Sequence, residues 1–171
     1  MKKFILTSLI VALAAVMQAQ TIKTGAESLD EYLPLLKGKR VAVLSNQTGI
    51  IGNTHIVDSL VSLKVNIVAI FSPEHGFRGD ADAGEHVSSS VDKKTGIPIR
   101  SLYDGDIKKA STEFMKDIDV LVFDLQDVGV RFYTYVTTMA RMMETCAETG
   151  KKMIILDRPN PIGFYVDGPI L

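Results

Sequence analysis

Five short apolar runs recur along this chain without the polar alternation of a half-buried strand, and that pattern limits its fold more than any other feature. They are Arg40–Ser45, Val65–Phe71, Ile97–Leu102, Asp119–Asp124 and Lys152–Asp157. Each is too short for a helix, and most are rich in Val and Ile, which suit a pleated backbone. Strands that are apolar on both faces belong to a parallel sheet covered by helices on both sides. Helical spacing fills the gaps between them. Ile56, Leu60, Val61 and Leu63 follow a cap at Asn53-Thr54, Asp104 to Lys116 forms a modest helix, and Arg131 to Thr149 forms a longer one. The last should bury Phe132, Val136, Met139, Met143 and Cys146 or Ala147, and Gly150 should end it as a C-cap. The order β-α-β-loop-β-α-β-α-β predicts an α/β fold: a Rossmann-like, doubly wound, mainly parallel sheet. Pro98 pushes its strand toward an edge. The polar, glycine-bearing stretch 72–96 reads as a functional loop with room for a short strand pair.

The two ends of the chain carry further expectations. Lys2 and Lys3 precede an uncharged apolar run from Phe4 to Val16, and a small-residue region ends at Ala19. This predicts a secretory signal peptide over residues 1–19, exported to the periplasm or beyond and leaving no stable membrane association once cleaved. At the other end, a Gly/Pro-rich connector runs to Gly168-Pro-Ile-Leu171 with no helix to cover the last strand, so residues 20–171 are expected to be the first part of a larger two-subdomain protein. The 19 basic and 20 acidic residues intermix to a net charge of −1, so the chain lacks the basic footprint of a nucleic-acid binder. Cys146, the lone cysteine, cannot form an intramolecular disulfide, and its helical position predicts burial. The composition leaves the oligomeric state open.

In an open α/β sheet, ligands bind beyond the carboxyl ends of the strands. Those positions read Ser45-Asn-Gln-Thr-Gly49, Ser72-Pro-Glu-His-Gly-Phe-Arg-Gly79, Tyr103-Asp104, Asp124-Leu-Gln-Asp-Val-Gly129 and Asp157-Arg-Pro-Asn160. All are rich in hydrogen-bonding groups. Loops are polar in any case, so Thr48 and Asp104 carry little weight. Glu74 differs, being fixed between Pro73 and His75-Gly76; it suits a general acid or base, or else a turn residue paired with Arg78. Asp124 at a strand tip suits a ligand or proton-transfer group, and Asp127 suits either a catalyst or a helix cap. Tyr133 and Tyr135 suit packing before sugar stacking. Glu74, His75, Asp80, Asp82, Glu85 and His86 contain metal-binding groups, but in no recognised ligand spacing. No G-x-G-x-x-G follows the first strand and there is no P-loop, so neither a metal nor a nucleotide cofactor is expected.

Four ordered strings, Val43–Gly49, Phe71–Gly79, Asp124–Tyr135 and Leu156–Pro161, resemble the NamZ-type exo-β-N-acetylmuramidase family of bacterial cell-wall hydrolases. The resemblance covers the mature chain from about residue 25 and matches the amino-terminal, Rossmann-like part of that family, making 20–171 a catalytic subdomain whose active site lies at the junction with a second one. It implies an exo-acting glycosidase that releases terminal N-acetylmuramic acid from a small saccharide or muropeptide. It places the catalytic carboxylate on Glu74, with Asp124 or Asp127 as the local candidate for a second, and makes Asn46, Gln47, His75, Arg78, Gln126, Arg131 and Asn160 substrate contacts or groups that tune the acid. A metal-dependent hydrolase and a non-catalytic exported sugar-binding domain are the competing expectations.

Overall fold

The computed structural model describes residues 22–74, 76–79, 90–102, 110, 112–164 and 166–168. The expected leader, His75, and four of the conceivable metal ligands (Asp80, Asp82, Glu85 and His86) lie outside these residues, as does Asp104. Among the described residues no helix is long and apolar enough to cross a membrane.

A 3-10 turn at Gly25–Glu27 leads into α1, Leu29–Leu36. Then follow β1, Val41–Ser45; a hairpin of β2, Ile50–Ile51, and β3, Thr54–His55; α2, Ile56–Ser62; and β4, Ile67–Ser72. The second half has β5, Ser90–Val91; β6, Pro98–Ser101; α3, Thr112–Met115; β7, Val120–Asp124; α4, Tyr135–Thr149; and β8, Lys152–Ile155. The main sheet runs β5-β6-β4-β1-β7-β8. All its pairings are parallel except β5 with β6. Without the short β5, the five long strands in chain order follow the 3-2-1-4-5 arrangement of a dinucleotide-type sheet, and the order reverses between β1 and β7.

Residue parity along the central strands divides the core in two. Val41 and Val43 of β1 and Val120 and Val122 of β7 meet Tyr32 and Leu36 of α1 and Ile56, Val57 and Leu60 of α2. Ala42 and Leu44, with Leu121 and Phe123, meet Met115 of α3 and Tyr135, Met142 and Cys146 of α4 on the other face. Both central strands are buried along their whole length, as unbroken apolar runs require.

The structure corrects several sequence expectations. Most of the expected helix at 104–116 lies outside the described residues, which contain its turn Thr112–Met115. The strand bearing Pro98 is one in from the edge, because Pro98 is its first residue, where a missing N–H breaks no interior ladder bond. Among its described residues the polar loop contributes the short strand β5, which forms that edge. The cap of α2 is the ring of His55, which accepts from Val57 N, since Thr54 and His55 are held in the hairpin. α1 lies ahead of the first apolar run, where Leu29, Leu33 and Leu36 with Tyr32 show helical spacing. Finally, α4 starts at Tyr135 and is rotated relative to the expected face: Phe132 is 86% and Met143 49% exposed, while Tyr135, Thr138, Met142, Thr145 and Cys146 are buried. Burying threonines is cheap in this helix because the Thr138 and Thr145 hydroxyls donate to the carbonyls of Thr134 and Arg141 four residues back.

Candidate active site

Strand ends β4, β1 and β7 converge where the sheet order reverses, and the loop residues there divide into those that hold the site and those that face its opening. Asn46 holds. It is 1% exposed; its Oδ1 accepts from Thr48 N at 3.0 Å and Thr48 Oγ1 at 2.6 Å, and its Nδ2 donates to Tyr135 Oη at 2.7 Å. Both ends of the amide, expected as a sugar contact, are engaged by internal hydrogen bonds. The Asn46 carbonyl accepts from His55 Nε2 at 2.8 Å, while His55 Nδ1 accepts from Val57 N. That pattern selects the neutral Nε2–H tautomer, and burial pushes the His55 pKa down in agreement.

Asp124 is also sequestered. It is 0% exposed, and Arg158 Nε and Nη2 donate to its two oxygens at 2.5 and 3.0 Å, with Nη2 also reaching the Ile50 carbonyl at 3.0 Å. Burial raises its pKa against the opposing pull of Arg158. A methyl group at Gly49 would run into Ser45 Oγ and come within 3.0 Å of Asp124 Oδ2, so the backbone packs directly on this pair. Both oxygens of Asp124, expected together with Asp127 as a candidate second catalytic carboxylate, are thus engaged, and the side chain is shut off from solvent. β7 and β8 are neighbours, and a buried acid at one strand tip calls for a cation from the next, a signal for Arg158 that the sequence does contain.

Arg78, expected as a substrate contact, is engaged by two carboxylates. Its Nε and Nη2 donate to Asp92 at 2.8 and 2.9 Å, and its Nη2 to Asp58 at 3.1 Å, with the guanidinium over the Phe77 ring. It ties the loop after β4 to α2 and to the turn after β5, and is not the partner of Glu74.

Glu74 is half-buried one turn past β4, and its Oε2 accepts from Thr134 Oγ1 at 3.3 Å. Thr134 immediately precedes α4, so the carboxyl sits at the positive end of a 15-residue helix. Tyr135, next in line, is held by Asn46; burial pushes its phenol up to about 12, with the charge of Glu74 among the lesser causes. Tyr133 packs edge-on against Tyr135 with ring centroids 4.8 Å apart. Thr134 was not singled out in sequence as a site residue, whereas Tyr135 was weighed between packing and sugar stacking. The link from Thr134 to Glu74 spans 60 residues and follows from the sheet topology.

Gln47 is exposed and lies against Gly79, where a Cβ would come 3.1 Å from Gln47 Cγ and Cδ, joining the first two strand-end loops. Gln126 Nε2 donates to the carbonyls of Asp127 and Pro159. Asp127 Oδ1 accepts from Gly129 N at 2.7 Å, an Asx turn and not the helix cap, since α4 starts eight residues beyond it. Asn160 closes its own turn onto Ile162 N and packs on Gly129, whose φ of +77° leaves no room for a side chain. Beside them a cavity of about 340 Å³ has an apolar floor of Phe123, Leu125, Val136 and Met139 and a rim that includes Asp127, Arg131 and Asp157. Glu74 does not line it, whereas Tyr135 does. Among the described residues no group of three or more His, Cys, Asp or Glu side chains could hold a metal.

A family model described as exo-β-N-acetylmuramidase NamZ, N-terminal, matches residues 41–171. The chain is 47% identical over 156 residues to the peptidoglycan β-N-acetylmuramidase NamZ of Bacillus subtilis (strain 168), covering 88% of this chain and 37% of that protein. Two crystal structures of DUF1343 family proteins from Bacteroides fragilis NCTC 9343 superpose on it. One has a TM-score of 0.76 at 51% identity, covering 89% of this chain and 39% of its own; the other has 0.73 at 46%, covering 82% and 35%. The chain thus spans little more than a third of the length of each of these relatives.

Proposed function

The chain belongs to the exo-β-N-acetylmuramidase NamZ family, over that family's amino-terminal region, and from this premise we propose that it acts in hydrolysing the glycosidic bond of a terminal N-acetylmuramic acid in peptidoglycan fragments, with Glu74 as general acid. The observation that carries the reading is the placement of Glu74: half-buried, at the carboxyl edge of the sheet beside its reversal point, and hydrogen-bonded at the start of a helix. In the reaction, the Glu74 proton passes to the glycosidic oxygen as the bond from that oxygen to the anomeric carbon breaks through an oxocarbenium-like transition state. Asp127 is the remaining local carboxylate for assisting the attack, since Asp124 is closed off by Arg158. The sugar's own acetamido group is the alternative nucleophile. Gln47, Gln126, Arg131 and Asn160 act as substrate contacts in this reading, as does His75.

Release of N-acetylmuramic acid from a muramyl disaccharide, whose alkoxide needs a proton to leave, tests the reading. Glu74→Gln should lower kcat by about 10²- to 10⁴-fold, the usual worth of a positioned acid, and a chelator should leave the rate unchanged. Undiminished turnover in Glu74→Gln would refute Glu74 as the acid, and zinc-restorable loss on chelation would establish a metal-dependent hydrolase instead. Residues 1–19 act as an export signal removed near Ala19, so amino-terminal sequencing of the exported protein should start within a few residues of Gln20. A start at Met1 would argue against it.

A further inference from the structure

We propose that Thr134 is a positioning residue for the Glu74 carboxyl, a role that rests on reading Glu74 as the general acid. A threonine in the position before a helix ordinarily turns its hydroxyl to an N–H of the first turn. Thr134 occupies that position ahead of α4 with φ −88° and ψ −10°, and makes no such bond. Its hydroxyl donates to Glu74 Oε2, a group delivered by another strand. The backbone beneath it is anchored twice. Tyr135 Oη takes the amide proton of buried Asn46, whose orientation is set by the Thr48 N–H on its Oδ1. The Thr134 carbonyl takes the hydroxyl of Thr138. The end of β1 thereby holds the start of α4, and the start of α4 holds the acid.

The chemical consequence concerns which oxygen carries the proton. A donor on Oε2 leaves Oε1 as the oxygen that bears the transferable proton. As that proton moves to the glycosidic oxygen, Thr134 keeps its own and its hydrogen bond strengthens onto the carboxylate left behind. Thr134 gains and loses no atoms in the step.

The test compares two substrates that differ in their need for an acid: a muramyl disaccharide, whose alkoxide leaves only when protonated, and a 2,4-dinitrophenyl muramide, whose phenolate leaves unaided. Thr134→Val should lower kcat on the disaccharide about tenfold, roughly one charge-assisted hydrogen bond, with KM unchanged and the dinitrophenyl rate barely altered. Thr134→Ser should restore the disaccharide rate. Because no cap bond is lost, the melting temperature of Thr134→Val should stay within about 2 °C of the parent, where losing a real cap of ~1 kcal/mol shifts it further. Equal losses on both substrates, a wild-type rate in Thr134→Val, or a cap-sized fall in melting temperature would each overturn the proposal. Glu74→Gln run alongside separates the two ideas. If Glu74→Gln shows the disaccharide-selective defect and Thr134→Val does not, only the positioning role fails; if Glu74→Gln also shows none, the reading of Glu74 itself fails.

Discussion

Asp124 shows how a side chain's surroundings reassign it. By position it is an obvious candidate for chemistry, a carboxylate at the tip of the most apolar strand. The structure instead gives it two hydrogen bonds from Arg158 and no access to water. Such a pair adds little net stability, but removing one member leaves an uncompensated buried charge. Arg158→Met should therefore cost about 3–5 kcal/mol in urea unfolding, and Asp124→Leu combined with Arg158→Met should recover most of that loss. A single mutant as stable as the parent would show that the pair opens to solvent. Cys146 illustrates the simpler case: a lone thiol on the buried side of α4, its pKa pushed up to about 11 by burial, is a packing residue.

The elements begin and end according to local chemistry that the chain displays unevenly. Gly150 closes α4 in the left-handed conformation at φ 65°, as its position after the apolar run implies. Lys64, just past α2, adopts nearly the same conformation at φ 64° with a side chain that disfavours it. Lys64→Gly should accordingly stabilise the protein by up to about 1 kcal/mol, measured as a shift of the denaturation midpoint. A loss of stability would mean that the lysine stem covers apolar surface worth more than the strain. At the start of α4 no side-chain cap operates, neither Asp127, the candidate expected from sequence, nor Thr134, which precedes the helix. Asp127 turns back onto Gly129, and Thr134 faces Glu74, so the helix opens at Tyr135 with its polar groups directed across the sheet.

At the scale of the whole molecule, loops are joined to each other and to α2 by charge. Arg78 links Asp92 and Asp58 from separate elements, and Lys94 adds a second cation on Asp58 at 2.6 Å. The hydrogen bonds from Arg78 hold Asp92 well below the usual carboxylate range; Asp58, although burial works against it, is also kept low by Arg78 and Lys94. A carboxyl whose pKa is lower folded than unfolded contributes stability that is fully present above its unfolded value, about 4, and lost as pH falls toward the folded one. Stability measured by chemical denaturation should thus fall with pH below about 4, and Arg78→Met should flatten that decline. An unchanged slope in Arg78→Met would place the acid sensitivity elsewhere.

What was legible in the sequence follows from short-range physics. Unbroken apolar runs such as Val120–Phe123 require cover on both faces, which is enough to establish a parallel α/β sheet, and Gly150 marks a helix end wherever it packs. The motif at Ser72–Gly79 singled out Glu74 because a stiff proline-flanked turn at a strand end is recognisable locally. What the linear order left out is which distant loops meet. The rotated face of α4, the pairing of Asp124 with Arg158, the diversion of Arg78 to Asp92 and the approach of Thr134 to Glu74 all join residues from different elements. Polar groups at strand ends are interchangeable in sequence, since each can face solvent, substrate or a neighbour. Only strand order and register, with β1 set between β4 and β7, determine which of these partners each group finds.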